Sequence, residues 1–427
     1  MTDILIPSLD FLSMEDIDWS LPSSELIRFR ENTRPVELLE QPLFLTQSAY
    51  KKLVLIADPA AAHEILVKRT AAFPKSPVQQ KLGKQAFGPG LSGTLGQRNE
   101  RQRTVLKALV SAKQAEHVKE VSRVATSDAI SRWIEMGTID LYREMSELAL
   151  QITWATLFGD NQYRGRDIVV ADTIDALHKE DKSDFVRSAK VVSQLTQYFL
   201  DSGRWKILPL DNPLRAIASE RGWESAPGLS AEEVKANALV FTASGHVTTG
   251  ITLAWCGWLL GLHPNLQESI RSQSENDDGE RRAVRNLIYE SLRLFPPGTE
   301  VMRHSRESIT VAGTEIDAGS MLFVSLYFLH RHKLLWDKPH CFNPHRFSPE
   351  QMKNIPKGAF MPFSGGDYGC SGMSVAWAEM MAVLTQCLAD ITLEVDPIDA
   401  LNMKLEAGTC LYPGSALKCR ITPIRDF

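Results

Sequence analysis

Apolar residues recur along most of this chain at the spacing of helices. From residue 99 to residue 262 they return every three or four positions, which is the period of an amphipathic helix. The segment DLYREMSELALQITWATLFG follows this spacing and ends at Gly159, a residue type that commonly terminates helices. Short apolar runs at 43–46 and 53–56 indicate strands. The pattern therefore predicts a mainly α fold with a minor β part.

The longest predicted helix begins at Ser230, which forms an S-x-x-E capping box with Glu233. It can continue to Leu262, just before Pro264, and would then be about 45–50 Å long at 1.5 Å per residue. Its middle is almost entirely apolar, so we expect it to be buried. This middle nevertheless contains the polar stretch S-G-H-V-T-T at 244–249, and buried polar groups need partners or a purpose.

The other predicted elements are shorter. They are a helix over 60–67 capped by Asp58, helices continuing to residue 294, strands at 309–311 and 322–326, an irregular stretch over 330–369, a helix directly after Cys370, and a closing strand pair flanking Gly414. Residues 73–95 are rich in Gly, Pro and Ser, which predicts a long loop. No repeat or low-complexity linker is visible, so we expect one domain over 1–427.

Composition narrows the class of protein. The chain has 44% hydrophobic and 23% charged residues and a formal charge of −5, without a basic run, which excludes a typical nucleic-acid-binding protein. The six cysteines form no C-x-x-C pair, so neither a zinc site nor a disulfide framework is indicated. The N-terminus lacks signal-peptide features, and the longest apolar run, at 251–262, is too short to span a bilayer. We therefore expect a cytoplasmic protein with no membrane association.

The strongest chemical signal is FSGGDYGCSG at 363–372, followed by the helical sequence MSVAWAEMMAVL. Here a glycine-rich loop presents Cys370 at a helix N-terminus, where backbone N–H groups and the helix dipole favour a thiolate. Such a sulfur can be a metal ligand or a nucleophile, although no histidine occupies an obvious partner position. The alternative is a buried cysteine that acts as a small hydrophobic residue.

This run resembles the haem-binding signature F-x-x-G-x-R/H-x-C-x-G of cytochromes P450, with Phe363, Gly366, Cys370 and Gly372 in register. The resemblance implies that Cys370 is the thiolate ligand of the iron of haem b (iron protoporphyrin IX). One position departs from the signature. Tyr368 stands where the family usually has an Arg or His that contacts a haem propionate, and a tyrosine brings one hydrogen bond but no positive charge.

Four arginines and one acid acquire roles through the same resemblance. Glu290 and Arg293 in YESLRLFPP are similar to the family's E-x-x-R pair, which would join Arg346 of FNPHRF in a structural triad. A surface ion pair of little energy is the alternative. Arg303 and Arg103 are implied partners of the haem propionates, with Asn99 in the place of the family's Trp or His. A solvated basic helix face is the alternative for Arg103.

The stretch ASGHVTTG at 243–250 is similar to the family's A/G-G-x-D/E-T-T segment beside the oxygen site. Thr248 and Thr249 match, and they are implied catalytic residues. Val247 replaces the usual acid and cannot relay a proton. His246 is a further candidate if its ring points inward. Packing of His246 between helices, and a bond from Thr248 to a carbonyl of its own helix, are the alternatives.

The resemblance implies a haem-thiolate monooxygenase that takes electrons from a ferredoxin or flavodoxin and oxidises a small, largely apolar organic substrate, with secondary metabolism as one setting. The implied pocket combines the 73–95 loop with Val240, Ala243, Ser244, Thr299, Val301 and Leu411. Val247 motivates a rival with rerouted protons, which uses peroxide or performs an atypical oxidation or coupling. A haem-binding sensor or carrier without turnover, and a colourless enzyme with a cysteine nucleophile, are the rivals from other classes.

Overall fold

The computed structural model describes residues 36–48, 51–159, 229–273, 277–407 and 410–424. In chain order, the helices of these ranges are α1 (Pro59–His63), α2 (Pro77–Phe87), α3 (Gly96–Leu106), α4 (Ala112–Met136), α5 (Leu141–Phe158), α6 (Ala231–Leu262), α7 (Pro264–Arg271), α8 (Asp277–Leu294), α9 (Leu326–Leu329), α10 (Pro349–Met352), α11 (Met373–Asp390) and α12 (Pro397–Leu401). The strands are β1 (Leu43–Ser48), β2 (Lys51–Ile56), β3 (Thr138–Asp140), β4 (Glu300–His304), β5 (Ile309–Val311), β6 (Thr314–Ile316), β7 (Met321–Ser325), β8 (Ile391–Glu394), β9 (Leu405–Ala407), β10 (Leu411–Pro413) and β11 (Lys418–Pro423). The mainly α fold with a minor β part is confirmed.

The helix ends that carry local signals lie where the sequence predicts them. The Ser230 hydroxyl accepts from the Glu233 N–H at 3.2 Å, and the Glu233 carboxylate accepts from the Ser230 N–H at 3.0 Å, so the capping box is complete. Helix α5 ends at Gly159, which adopts a left-handed conformation with φ of 66°. Asp58 accepts from the N–H of Ala61 at 2.6 Å and caps α1, which continues as a π-helical turn at Glu64–Lys68.

The prediction of a long loop over 73–95 is wrong in its middle, because α2 occupies Pro77–Phe87 and a 3-10 turn follows at Leu91–Gly93. The buried side chains of Ala86 and Phe87 pack against Leu239, Val240 and Ala243 of α6. A helix of this length is marginal by itself, so this packing supplies the stability that propensity does not indicate.

The prediction of a closing strand pair around Gly414 is also corrected. Strands β10 and β11 flank this residue, but β10 pairs with β9, whereas β11 pairs with β3 and β8. Strand β4 is a further element that the sequence pattern did not reveal. The rest of the predicted helical region, residues 160–228, lies outside the described residues.

The chain divides into two compact units. The first comprises Met1–Val78, Asn286–Cys370 and Ala400–Ser415, and the second comprises Gln79–Arg285, Ser371–Asp399 and Ala416–Phe427. The first contains a sheet of order β1-β2-β7-β4, in which β2 and β7 run parallel. Its apolar face packs with α1 and the π-helical turn around Phe73 and Leu322. The expected single domain over 1–427 remains a proposal.

The second unit is built on α6, which packs along α5, while α11 packs on α4. A Cβ added to Gly250 would lie 2.8 Å from the Cα of Ser146, so the backbones of α5 and α6 approach closely at this crossing. Strands β3, β11 and β8 form the sheet of this unit. None of the helices in the described ranges is both long and apolar enough to cross a bilayer.

Candidate functional site

The loop that carries Cys370 packs against the backbone at Leu66, which belongs to the same unit. The N–H of Cys370 donates to the carbonyl of Phe363 at 2.9 Å and closes the loop. Gly366 has φ of 62°, and a Cβ added there would lie 2.3 Å from the carbonyl oxygen of Leu66. Only glycine fits this position, because both the conformation and the space exclude a side chain. Ser364 also adopts a positive φ, 58°, which is uncommon for a residue other than glycine and typical of functional loops.

The cysteines differ sharply in their surroundings. All six lie in the described ranges, and none forms a disulfide. Burial raises the pKa of the Cys387 and Cys419 thiols to about 12, so both are protonated thiols. Cys256 and Cys410 are buried as well, whereas Cys370 is exposed. Cys370 is therefore the cysteine best placed to ligate an external group, and α11 begins after Gly372, two residues later.

Two cations flank Tyr368, the residue that replaces the family's Arg or His. The Arg303 guanidinium carbon lies 5.5 Å from the centre of the Tyr368 ring, and the Lys75 amine lies 5.4 Å from it. Both cations are buried, with 1% and 6% exposure. Their backbones are held side by side, since Lys75 and Arg303 form a β-bridge and the His304 N–H donates to the carbonyl of Pro74 at 2.9 Å.

These donors fit a haem. An exposed cysteine is able to supply a sulfur ligand for the iron, and the buried cations beside the same loop have the charge to bind carboxylates such as the propionates. Sequence analysis missed Lys75, because it lies in FPKSP, within a stretch interpreted as a loop where a lysine is normally solvated. No local signal distinguishes it. Only the pairing of its strand-like segment with β4 brings it to Tyr368.

Glu290, Arg293 and Arg346 form a buried ion cluster in the first unit. Arg293 binds Glu290 through two bonds, of 2.7 and 2.8 Å, and the Arg346 Nε lies 3.4 Å from the same carboxylate. Arg293 and Glu290 are fully buried. The remaining donors of Arg293 bind the carbonyls of His330, Pro339 and Cys341. The cluster thus holds the irregular segment that leads to the Cys370 loop.

In the second unit, Arg103 and Asn99 contact each other. The Arg103 Nε donates to the Asn99 Oδ1 at 3.0 Å, and its Nη1 donates to the Ser371 hydroxyl at 2.9 Å. The Asn99 amide nitrogen donates to the carbonyls of Leu91 and Thr94 at 3.0 and 3.2 Å. Arg103 therefore reaches the residue next to Cys370, while the donors of Asn99 are directed at the backbone. Their roles toward a cofactor stay predictions.

The polar stretch of α6 bonds largely to its own helix. The Thr248 hydroxyl donates to the carbonyl of Ser244 at 3.1 Å, and both residues are exposed. His246 is buried, with its Nδ1 2.8 Å from the carbonyl of Thr242, and since a carbonyl only accepts, Nδ1 is the donor of this bond. Thr249 is buried, and Val247 is half-buried. These bonds are the ones expected for the structural alternatives, and the catalytic roles of His246, Thr248 and Thr249 remain predictions.

The predicted pocket residues fall into two groups. Val240 and Ala243 lie in the apolar cluster between α2 and α6 in the second unit, and Ser244 follows them. In the first unit Thr299 and Leu411 are buried, and the Leu411 N–H donates to the carbonyl of Pro297 at 3.1 Å. Val301 packs on the core of the sheet. Each group is contiguous in its own unit, and its contact with substrate stays a prediction.

We predict that Glu290→Gln destabilises the protein by about 3–5 kcal/mol, because it removes the counter-charge of the buried Arg293 and of the partly buried Arg346. Denaturant unfolding would measure the loss. The control is Glu116→Gln, which removes an exposed pair with Lys119 and should cost no more than about 0.5 kcal/mol. Equal effects of the two substitutions would contradict a structural role for the cluster.

Acid should destabilise the protein through His330. Burial, reinforced by Arg293 and Arg331, lowers the pKa of His330 to about 3, so the folded state keeps this ring neutral while the unfolded chain protonates it near pH 6.5. The stability contributed above pH 6.5 is therefore lost as the pH falls, by about 2 kcal/mol at pH 5. His330→Gln should flatten the pH dependence of the unfolding free energy between pH 6.5 and 5. An unchanged slope would contradict this assignment.

The chain is similar in sequence to known proteins of one family. The family model described as Cytochrome P450 matches residues 168–418. Cyclooctat-9-en-7-ol 5-monooxygenase of Streptomyces melanosporofaciens is 25% identical over 360 residues, which is 77% of this chain and 78% of that protein. Cytochrome P450 4B1 of Rattus norvegicus is 33% identical over 44% of this chain and 40% of its own length.

Cytochrome P450 3A31 of Mesocricetus auratus is 28% identical over 47% of this chain and 42% of its own length. The match thus spans about two fifths of the length of each of these two mammalian relatives. The family model covers more than half of the 427 residues, and the chain belongs to the cytochrome P450 family.

Proposed function

We propose that this protein is a haem-thiolate monooxygenase that uses dioxygen to oxidise a small, largely apolar organic molecule. The observation that carries the proposal is the exposed Cys370 on a sterically fixed loop, with two buried cations beside Tyr368 of the same loop. When bound, haem b supplies oxygen activation, which an electron-donating thiolate ligand promotes. The fold is proposed to act as one domain over 1–427.

Several residues of the chain are proposed to hold the haem, each through a different contact. Cys370 supplies the sulfur ligand, and Arg303 and Lys75 neutralise carboxylates in place of the charge that Tyr368 lacks. Arg103 is proposed as a further propionate partner by resemblance to the family. Gly366 allows the loop to lie directly on the backbone at Leu66, so the sulfur has a fixed direction.

On α6, Ser244 and Thr248 lie one turn apart, and both are exposed. We propose that this hydroxyl pair holds water near the reacting group and that Thr248 passes a proton from its hydroxyl when its bond to the Ser244 carbonyl opens. Val247 has no titratable group, so the proton must come from water rather than from this position. The apolar wall next to the pair, around Val240 and Ala243, favours an apolar substrate.

For the electron donor and the metabolic setting we propose only a class. A ferredoxin or flavodoxin is the proposed electron donor, and the Streptomyces relative, named as a monooxygenase of an organic alcohol, supports a small organic substrate. Secondary metabolism is the proposed setting.

A second candidate is oxidation driven by peroxide, which needs no proton relay of the usual kind. It is favoured by Val247 and by the engagement of the Thr248 hydroxyl with its own helix. Turnover with peroxide should be compared with turnover supported by dioxygen and a reductase system. Turnover only with the reductase system would exclude the peroxide reaction.

The first test of the proposed function is the absorption spectrum of the reduced protein with carbon monoxide. The wild type should show the red-shifted band that a thiolate ligand produces, and Cys370→Ala should lose it. Cys341→Ala, a substitution of a half-buried cysteine outside the loop, is the matched control and should keep the band. A colourless wild type would refute haem binding, and a band retained by Cys370→Ala would refute the ligand.

Lys75→Met should weaken haem retention, because one charge-assisted bond to a carboxylate is lost. We expect haem to leave for excess apomyoglobin about 10–100-fold faster, as measured by absorption. Lys68→Met is the control, since Lys68 is an exposed lysine paired with Glu64. Identical rates of haem loss from the two variants would contradict the assignment of Lys75.

A further inference from the structure

The segment 88–95, which follows α2, is held by side chains rather than by a strand or a long helix. Asn237 of α6 accepts from the N–H of Leu91 at 2.8 Å. Asn99 of α3 donates to the carbonyl of Leu91 at 3.0 Å, so both backbone polar groups of this one residue are bound by asparagines. Gln102, one helical turn further along α3, donates to the carbonyl of Pro89 at 2.7 Å.

These three amides are buried, with exposures of 2% for Asn99 and 0% for Gln102 and Asn237. Displacing the segment would leave buried donors and acceptors unsatisfied, and that penalty is what makes such a network specify one arrangement. Close packing adds to it, because a Cβ added to Gly90 would lie 3.1 Å from the carbonyl of Ala236 and from a methyl of Val240.

The two helices that provide these amides are themselves joined. Glu233, in the first turn of α6, is 2% exposed and binds Arg98 at 2.7 Å and Arg101 at 2.8 Å, both from α3. The amide nitrogen of Asn237 also donates to the carbonyl of Glu233 at 2.7 Å. The segment is therefore bound to a rigid pair of helices.

Asn99 differs from the other two amides in that it also contacts an arginine. Its nitrogen donates to the segment, while its Oδ1 accepts from the Nε of Arg103 at 3.0 Å. Arg103 in turn donates to the hydroxyl of Ser371 at 2.9 Å, and Ser371 directly follows Cys370 in the chain. One side-chain amide thus joins the segment 88–95 to the arginine that binds Ser371.

We propose that Asn99 and Asn237 are positioning residues that hold the segment 88–95 as a fixed wall, and that Asn99 alone couples this wall to Arg103. The amide nitrogen of Asn99 binds the segment 88–95, and its Oδ1 orients the guanidinium of Arg103. Asn237 binds the segment 88–95 through its Oδ1, and its amide nitrogen binds the carbonyl of Glu233. The second half of the proposal rests on the proposed function, because it assigns the oriented Arg103 to haem retention.

The first readout is hydrogen–deuterium exchange of the peptide containing Leu91, which needs no substrate. An aspartate keeps the acceptor of an asparagine but loses its donor, so it discriminates between the two positions. Asn99→Asp should speed exchange of this peptide about tenfold, since the donor to the carbonyl is lost. Asn237→Asp should preserve protection of the Leu91 N–H, whereas Asn237→Leu should lose it by a similar factor. Thr104→Val, on the exposed side of α3, should leave exchange unchanged.

The second readout is transfer of haem to apomyoglobin from the same variants. Asn99→Leu should speed haem loss about tenfold, while Asn99→Asp should retain haem like the wild type, because it keeps the acceptor for Arg103. Asn237→Leu should also retain haem. Thermal unfolding of each variant verifies that the comparisons are made on folded protein, and the Asp variants provide the answer if a Leu variant does not fold.

Equal exchange for Asn99→Asp and wild type, or for Asn237→Asp and Asn237→Leu, would overturn the fixed wall. Unchanged haem retention in Asn99→Leu would overturn the coupling to Arg103. If the wild type binds no haem, the proposed function and the coupling both fail. The hydrogen–deuterium exchange results would still test whether Asn99 and Asn237 hold the segment 88–95 in place.

Discussion

The buried ion cluster of Glu290, Arg293 and Arg346 is the constraint on which the first unit depends. Residues 330–369 contain little regular structure, so their backbone polar groups need partners outside helices and strands. A guanidinium has five donors in a fixed plane, and Arg293 uses them on one carboxylate and three carbonyls of this stretch. Because the irregular stretch leads into the loop of Cys370, the ion cluster holds the segment that precedes this loop.

Charge at the cysteine loop is distributed over neighbouring segments rather than placed in the loop itself. Tyr368 cannot neutralise a carboxylate, but Arg303 and Lys75 are buried within 5.5 Å of the centre of its ring. A carboxylate stabilises a buried cation, and the propionates of a haem are carboxylates that these two cations can bind. Tyr368 brings no positive charge, but Lys75 and Arg303 of β4, whose backbones pair beside the loop, bring two.

The features predicted from sequence are those governed by nearby residues. The capping box at Ser230, the helix end at Gly159 and the strands β1 and β2 each follow from a few adjacent residues, and each is found. The helix α2, the pairing of β11 and the position of Lys75 depend on contacts between segments distant in sequence. No local pattern encodes such contacts, so the sequence could not reveal them. The site motifs were recognisable because their spacing is local, although their mutual geometry is not.

Asn99 and Tyr368, the two residues that depart from the family pattern near the cysteine motif and in α3, have the same physical explanation. The side chain of a Trp, or of a neutral His, at residue 99 would offer a single N–H donor, whereas an asparagine offers two donors and an acceptor within a smaller side chain. Asn99 can therefore bind the segment 88–95 and Arg103 at once. At Tyr368 an aromatic ring likewise stands among cations that can meet the carboxylates. In both places the residue that departs from the family pattern contacts a neighbouring arginine, so the position of that arginine depends on the packing of the surrounding chain.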